Sequence, residues 1–415
     1  MENMKPSGIE WIGDIPESWN VQPMKYMVFF CNGDRGDNYP SKSEMTNEGV
    51  PFINAGHLTD NGLDFDNMDY ISENKYKCMS GVKLQKDDIL YCLRGSVGKN
   101  TIISIEKGTV ASSLVAIRTH NMHSKYLFYC LNSDVENVQR NLFDNGTAQP
   151  NLSADNLGKY KIAIPGHYEQ TLIANFLDKQ CGKIDSIIAD LEKQIEILGQ
   201  YKKSLITETV TKGLDKNAPM KDSGIEWIGK IPEHWEVKRI KYFLSVSSGD
   251  AIANEELEEG DIPVYGGGKQ MGYYNKSNVP NNTVLIGRVG ANCGCVTIIS
   301  EKSWATDNAL IVNTKYNRKY IYYLLESANL NKLNDANAQP LITGAKVGNY
   351  ASPIVLNIDE QNQIANFLDN QCSKIDSIIQ SKQEQLTKIT EYKKALIYEY
   401  VTGKKRVKGA VTNGN

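Results

Sequence analysis

Two long stretches of this 415-residue chain occur twice. Residues 5–26 recur as residues 221–242 with fifteen of 22 positions identical, among them the run Gly-Ile-Glu-Trp-Ile-Gly. A second pair of blocks, residues 169–206 and 360–397, is separated by 191 residues rather than 216. The intervening region is therefore 25 residues shorter in the second copy. The chain is two copies of one plan, each with a variable region between two shared blocks.

The second pair of blocks has the apolar spacing of a coiled coil. In each block apolar residues recur at alternating steps of four and three, and no proline interrupts the run. A helix over residues 169–210 would be about 63 Å long. Each stripe could face the core of its own domain, but a run of this length favours two long helices packed on each other. The predicted interface residues are Leu177, Ile184, Ile188, Leu191 and Ile195 in the first copy and Leu368, Ile375, Ile379, Leu386 and Ile389 in the second.

The variable regions, residues 27–160 and 243–350, are rich in Gly, Asn, Asp and Tyr. They contain short apolar runs such as Ile-Leu-Tyr-Cys-Leu and Thr-Val-Leu-Ile-Gly, separated by turn residues. This pattern predicts two mainly β domains. Short helices are predicted at residues 125–131 and 318–326. Glycine and proline in the linker between the copies, residues 212–220, stop the first long helix.

Composition excludes several classes of protein. With 40% apolar and 23% charged residues the chain resembles an ordinary globular protein, and no apolar run is long enough to span a membrane. The eight cysteines include no CxxC pair, which argues against a metal site and for reduced thiols. No catalytic motif of a methyltransferase, nucleotide-binding enzyme or hydrolase is present, so catalysis is not expected. The N-terminus lacks the apolar core of a signal peptide, and we expect a cytoplasmic protein.

Four tryptophans occupy the duplicated N-terminal blocks, namely Trp11, Trp19, Trp227 and Trp235. Tryptophan can stack on nucleic-acid bases, but the apolar residues around these four favour burial against the base of the long helices. We therefore interpret them as core residues.

Three of the duplicated motifs resemble those of the specificity subunits of type I restriction–modification systems. They are Gly-Ile-Glu-Trp-Ile-Gly-x-Ile-Pro, the helix start Ile-Ala-x-Phe-Leu-Asp, and the helix end Tyr-Lys-Lys-x-Leu-Ile. The resemblance implies an α+β fold in which two mainly β target-recognition domains are joined by an antiparallel coiled coil with pseudo-twofold symmetry. Each domain would read one half of a split DNA target, and because the two variable regions differ, the target would be asymmetric.

The resemblance also implies partners. Two adenine methyltransferase subunits would dock on the coiled coil, and motor-nuclease restriction subunits would join through that complex. The chain itself would hold no cofactor and carry out no chemistry, whereas S-adenosylmethionine, ATP and magnesium would belong to the partner subunits. Two readers on one face of a duplex would place the half-sites about 34 Å apart.

The motifs set the expected domain boundaries. Residues 1–160 hold an N-terminal segment and the first target-recognition domain, and residues 161–212 the first helix. Residues 213–350 hold the linker, the repeated segment and the second target-recognition domain, and residues 351–403 the second helix. Residues 404–415 form a C-terminal tail with the one basic cluster of the chain, Lys-Lys-Arg-Val-Lys, which we interpret as solvated.

Candidate base contacts come from the loops of the variable regions. Arg94 and Arg288 each follow a strand in a glycine-containing loop, where a guanidinium group can offer two parallel donors to guanine. The alternative is a structural arginine held by an acidic neighbour. Four further candidates lie in the same or neighbouring loops, and the resemblance supplies no motif that decides among them: Lys99, Gln149, Asn292 and Gln339.

The net charge of −3 argues against a free-standing nucleic-acid binder. Residues 27–160 hold 13 basic and 16 acidic residues, and residues 243–350 hold 9 and 10. Any DNA affinity must then come from local placement of charge or from partner subunits. A coiled-coil scaffold that binds only proteins and an enzyme with a site hidden in the β domains remain alternatives.

Overall fold

The structure is a computed structural model that describes residues 3–36, 38–59, 62–143, 151–253, 257, 260–334 and 340–407. These residues form two compact units. The first takes in residues 3–191 and 385–407, and the second takes in residues 192–384. Each unit therefore contains one β region, the start of one long helix and the end of the other.

The first unit is built around two four-stranded sheets. Its strands are β1 (Met4–Pro6), β2 (Asp14–Pro16), β3 (Asn20–Pro23), β4 (Val28–Asn32), β5 (Met45–Thr46), β6 (Val50–Ile53), β7 (Leu58–Thr59), β8 (Gly62–Leu63), β9 (Asp69–Ile71), β10 (Ile89–Cys92), β11 (Asn100–Ile102), β12 (Thr109–Val110), β13 (Leu114–Thr119) and β14 (Lys161–Ile164). Its helices are α1 (Glu73–Cys78), α2 (Ser124–Leu131), α3 (Asp134–Phe143), α4 (Ala154–Gly158) and the first part of α5 (His167–Lys212).

The second unit has one four-stranded and one three-stranded sheet. Its strands are β15 (Met220–Asp222), β16 (Lys230–Pro232), β17 (Glu236–Arg239), β18 (Leu244–Ser248), β19 (Ile262–Gly266), β20 (Lys269–Tyr274), β21 (Val284–Gly287), β22 (Val296–Ile298), β23 (Trp304–Ala305), β24 (Ala309–Thr314) and β25 (Ala351–Ile354). Its helices are α6 (Arg318–Ser327), α7 (Gly344–Asn349) and the first part of α8 (Ile358–Val401).

The central sheet has the same strand order in both units. In the first the order is β11-β10-β13-β4, and in the second it is β22-β21-β24-β18, with every neighbouring pair antiparallel. Helices α2 and α6 occupy the places predicted for the two short helices. The predicted α+β fold with two mainly β domains and two long helices is thus confirmed.

Strand β10 shows why these apolar runs form central strands. All four of its residues are buried, so both faces of the strand are covered. Ile89 and Tyr91 belong to the core that includes α2 and the long helices, whereas Leu90 and Cys92 belong to a second core on the opposite face. Alternate residues of a strand point to opposite faces, and a continuous apolar run suits a strand packed on both sides.

The long helices begin later than the boundaries expected from the motifs. Residues 161 and 351 start strands β14 and β25, which pair with β3 and β17 of the repeated N-terminal segments. The chain must stay extended there to make these ladders, and helix α5 starts only after Pro165 and Gly166. Each long helix also contributes to both units instead of forming a domain of its own.

Candidate nucleic-acid interface

The long helices pair antiparallel in each unit. In the first unit, Phe176 stacks on Tyr400 with ring centroids 4.5 Å apart, and Lys393 donates to Asp185 at 2.5 Å. In the second unit, Lys202 donates to Asp376 at 2.7 Å. The contacting residue numbers rise from 176 to 202 along α5, whereas the numbers of the residues they contact fall from 400 to 376 along α8. The two helices therefore run in opposite directions. The two ion pairs join equivalent residues with the roles of the two helices exchanged.

The residues predicted for the helix interface are all buried or half-buried, while Ile187 and Ile378 beside them are 47% and 46% exposed. Leu177 and Ile184 join the core of the first unit and Leu368 that of the second, and Ile375 is buried with 6% of its surface exposed. The half-buried members are Ile188, Ile195, Ile379, Leu386 and Ile389, and Leu191 is fully buried. Burying an aliphatic side chain of this kind stabilises the fold by about 1.5–3 kcal/mol.

Each unit anchors its repeated N-terminal segment to a glutamate at the start of a long helix. Trp19 donates from Nε1 to Glu169 at 3.0 Å, and Trp235 donates to Glu360 at 2.9 Å. Both indoles are fully buried, so each needs this acceptor. The interpretation of all four tryptophans as core residues is wrong for Trp227, whose exposed fraction is 48%.

The C-terminal basic cluster is not a solvated tail as far as Val407, the last residue that the structure describes. Arg406 forms an ion pair with Glu169 and lies 5.9 Å from the ring centre of Trp19. Val407 packs against the core of the first unit, and Lys404 donates to the carbonyl oxygen of Asp14. The segment folds back because Glu169, only 8% exposed, requires a countercharge.

Replacing Arg406 with alanine is expected to destabilise the first unit by about 1–3 kcal/mol, because the buried carboxylate of Glu169 would lose its ion-pair partner. The matched control is Lys405→Ala, since Lys405 pairs with Glu399 on the surface and contributes little. Thermal melts of both variants check this expectation. Equal melting temperatures would show that Arg406 does not secure the segment.

A tight loop after β4 presents Arg35 to solvent. Gly33 lies so close to the neighbouring backbone that an added Cβ would be 2.4 Å from the carbonyl oxygen of Val110. The carboxylate of Asp34 then accepts from the amides of Gly36 at 2.7 Å and Ser80 at 2.8 Å. The hydrogen bond from Gly36 holds the pKa of Asp34 below its usual value. The loop is therefore fixed, and Arg35 is exposed at its tip, where its Nη2 donates to the Ser112 carbonyl oxygen at 3.3 Å.

Gly33→Ala should cost about 1–3 kcal/mol, because the methyl group overlaps two backbone carbonyl oxygens. Gly182→Ala is the control: Gly182 is an exposed position of α5 with no atom within 4 Å of the added Cβ. Alanine favours a helix over glycine by about 1 kcal/mol, so the control should gain stability. Denaturant unfolding of both variants measures the difference. A Gly33→Ala protein as stable as the parent would contradict a rigid loop.

Arg94 lies in the same concavity as Arg35, a cleft of about 330 Å³. Its side chain is exposed and makes no hydrogen bond or ion pair with any residue that the structure describes. Asn32, Asn151, Ser153 and Asp155 complete the polar lining. Two guanidinium groups and two amides face one carboxylate here, which suits acceptor-rich base edges or a phosphate. The sequence signal for Arg35 is the turn motif Asn-Gly-Asp-Arg-Gly, which by itself indicates a turn and no function.

Arg288 is not the counterpart of Arg94. Cys92 pairs with Leu114 at the end of β10, and Gly287 pairs with Ala309 at the end of β21. The residue after β10 is Leu93 and the residue after β21 is Arg288, so these two residues occupy equivalent positions. The carbonyl oxygens of Leu93 and Arg288 each accept a hydrogen bond from a backbone amide in the segment that precedes a short helix, α4 or α7, at 2.9 Å. Leu93 is buried, and Arg288 at the same place is half-buried with its Nε enclosed.

The guanidinium group of Arg288 is tied to its own unit. Its Nη1 donates to Ser248 Oγ at 3.3 Å and to the Asp307 carbonyl oxygen at 3.2 Å. These contacts fit the structural alternative for this arginine better than direct base contact. The position that corresponds to Arg94 is Val289, because Arg94 bridges to Asn151 and Val289 bridges to Leu341.

Of the remaining candidate contacts, Lys99 and Asn292 do not occupy corresponding positions in the two units. Lys99 is half-buried before β11, and strand pairing equates it with Cys295 rather than Asn292. Asn292 is half-buried in a short turn after β21. Gln149 and Gln339 lie outside the described residues. Base contact by these residues stays a prediction.

Comparison with known proteins decides the family. Residues 24–197 and 232–388 each match the type I restriction modification DNA specificity domain, once in each copy of the repeat. Together the two matches span well over half of the chain. The chain belongs to this family. It is a specificity subunit of the type I restriction–modification kind, and DNA target recognition is the role of its domains.

Relatives of this specificity subunit extend over nearly its full length. The MjaVIII type I restriction enzyme specificity subunit of Methanocaldococcus jannaschii is 26% identical over 433 aligned positions, covering 95% of this chain and 94% of the relative. The EcoprrI specificity subunit of Escherichia coli is 23% identical over 358 positions, covering 83% and 85%. Among solved structures, a chain from a study of assembly and conformational transition of the type I R-M system aligns with a TM-score of 0.71. It is 12% identical and covers 93% of this specificity subunit and 98% of that chain, which supports the fold.

The described part of the specificity subunit shows no obvious chemical centre. No group of three or more His, Cys, Asp or Glu side chains there is arranged to hold a metal ion. Burial raises the pKa of the Cys181 thiol to about 11 and that of Cys130 to about 12, so these cysteines are packing residues. No helix among the described residues is long and apolar enough to cross a membrane.

Proposed function

We propose that this specificity subunit reads a two-part, asymmetric DNA sequence with one part assigned to each unit. The observation that carries the proposal is a duplicated scaffold with unlike surfaces. The strand order of the central sheet is the same in both units, yet the residues at the ends of corresponding strands differ in charge and size. Equal scaffolds with different exposed side chains would read different base sequences.

The chain would direct other subunits to the target rather than act on DNA itself. We propose that its partners are two adenine methyltransferase subunits, joined by restriction subunits with motor and nuclease activity. S-adenosylmethionine, ATP and magnesium would be bound by those subunits. The balanced charge of both β regions supports this division, because phosphate contacts supplied by the partners would provide the affinity that this chain lacks.

An electrophoretic shift assay tests this function. The full chain is mixed with the methyltransferase subunit and a pool of random duplexes, in the presence of excess non-specific DNA. We expect retention of a small subset of sequences by the complex, with the methyltransferase alone retaining none of that subset. Complex formation without sequence-dependent retention would favour a scaffold that binds proteins only. DNA modification or cleavage by the chain alone would favour a hidden enzyme.

A further inference from the structure

The strand register equates the exposed residues of the two units position by position. Strand β4 pairs with β13 in the same register as β18 pairs with β24. The loops after β10 and β21 each form a bridge to the equivalent later segment of their own unit. The positions that line the cleft of the first unit therefore have defined counterparts in the second. In the order first and second unit, they are Asn32 and Ser248, Arg35 and Ala251, Arg94 and Val289, Asn151 and Leu341, and Asp155 and Ala345.

The backbone that supports these positions is the same in both units. Gly249 occupies the place of Gly33, and its added Cβ would lie 2.3 Å from the carbonyl oxygen of Ala305. An aspartate follows each glycine, buried as Asp34 in the first unit and exposed as Asp250 in the second. The next short helix is capped in both units by a hydroxyl group, from Ser153 in the first and Thr343 in the second.

The side chains that this common backbone presents are chemically different. In the first unit the exposed residues include Arg35 and Arg94, and the single acid of the lining is Asp155. In the second unit Ala251 is exposed and Leu341 has an exposed fraction of 40%. The first surface offers hydrogen-bond donors in excess, and the second offers mainly methyl and methylene groups.

The arginine of the second unit does not reverse this difference. Arg288 enters from the position of Leu93, beneath the surface, and it is held by Ser248 and Asp307. Exposed leucine and alanine side chains favour contact with an apolar group of a ligand, because the contact removes apolar surface from water. In the major groove the apolar group available is the methyl group of thymine, whereas guanine presents two acceptors to an arginine.

We propose that Arg35 and Arg94 of the first unit read guanine, and that the surface of Ala251, Val289 and Leu341 in the second unit reads the methyl group of thymine. This inference rests on the proposed function and assigns a base chemistry to each unit. Arg94 follows the central strand β10, and Arg35 lies in the same cleft on the rigid loop. Arg288 stabilises the second surface from beneath through its hydrogen bonds to Ser248 and Asp307.

Selection from a randomised duplex library with the full chain and the methyltransferase subunit tests the first assignment. The parent complex should select two fixed segments, one of them with guanine. Arg94→Ala and Arg35→Ala should each weaken the preference for guanine in that segment roughly ten- to hundred-fold and leave the other segment unchanged. The control is Lys86→Ala, which removes an exposed charge at the opposite end of the same strand, before β10.

Replacement of thymine by uracil tests the second assignment, because uracil lacks only the methyl group. Uracil in the second segment should weaken binding by the parent about fourfold at the contacted position, the value of one buried methyl group. The Leu341→Ala complex should be less sensitive to that replacement. The double variant A251R/V289R should instead select guanine in the second segment.

The possible results separate this inference from the function on which it rests. If the parent selects two segments but neither arginine variant changes the guanine preference, the assignment to Arg35 and Arg94 is wrong and the reading function stands. If uracil binds as well as thymine throughout the second segment, the assignment to the second surface is wrong. If the parent selects no sequence, both the inference and the proposed function fail.

Discussion

Replacement of Ile184 and Ile375 together with aspartate is expected to unfold both units. The two residues are equivalent in the repeat and buried, with exposed fractions of 5% and 6%, and Ile184 belongs to the core of the first unit. Loss of each aliphatic side chain costs about 2–5 kcal/mol, and a buried carboxylate adds a further penalty. A domain of this size has a free energy of unfolding of about 5–15 kcal/mol. Circular dichroism melts and size-exclusion chromatography measure the loss.

The matched control is Ile187→Asp with Ile378→Asp. These isoleucines lie three positions further along the same helices but are about half exposed, so aspartate there meets water instead of the core. The control should retain a cooperative melt close to that of the parent. If the two double variants melt alike, the packing of α5 on α8 within each unit does not stabilise that unit.

A fragment of residues 1–212 is expected to form a dimer with itself. In the full chain, the core of the first unit is completed by Leu396, Ile397 and Val401 from the end of α8. The fragment carries their equivalents at the end of α5, since residues 205, 206 and 210 are Leu, Ile and Val. Lys202 can then meet Asp185 of the second copy, because equivalent residues already pair in both units.

The fragment dimer should direct methylation to a palindrome built from one segment of the parent target. Arg406 is absent from the fragment, so Glu169 loses its ion-pair partner and the dimer should be less stable than the full chain. Ser18→His should restore part of that stability, because position 18 corresponds to His234, which pairs with Glu360 at 2.9 Å. A folded monomer in sedimentation, or an asymmetric methylated site, would show that the two halves are not interchangeable.

The fold could be predicted from the sequence because its main signals are repeated. Heptad spacing occurs in both copies, and the residues that it marked, such as Leu177 and Leu368, are fully buried. The short apolar runs form central strands such as β10, one face of which packs in the core that includes the long helices. A pattern that recurs at a fixed separation is difficult to produce by chance, so both copies strengthen the same interpretation.

The details of the surface could not be predicted in this way. Arg94 and Arg288 each follow a strand in a glycine-containing loop, which suggests that they correspond. The two copies differ in length, and only the strand register shows which residues are equivalent. That register moves Arg288 by one residue and turns it from solvent towards Ser248. A shift of one residue exchanges the two faces of a strand, and a single sequence does not fix it.

The C-terminal cluster illustrates a second limit. A run of basic residues at a chain end usually faces solvent, and nothing near Arg406 in the sequence suggests otherwise. Its partners Glu169 and Trp19 come from segments more than two hundred residues away. Contacts of this kind depend on the finished fold, in which the end of α8 lies against the first N-terminal segment.

Methylation mapping of DNA exposed to the full chain and the proposed methyltransferase partner tests the central claim most directly. The claim is that one chain reads two different sequences, one with each unit. We predict a single asymmetric target made of two unlike segments separated by unspecified bases, and a change confined to one segment in the Arg94→Ala complex. A palindromic target, one continuous segment, or methylation without sequence preference would contradict the claim.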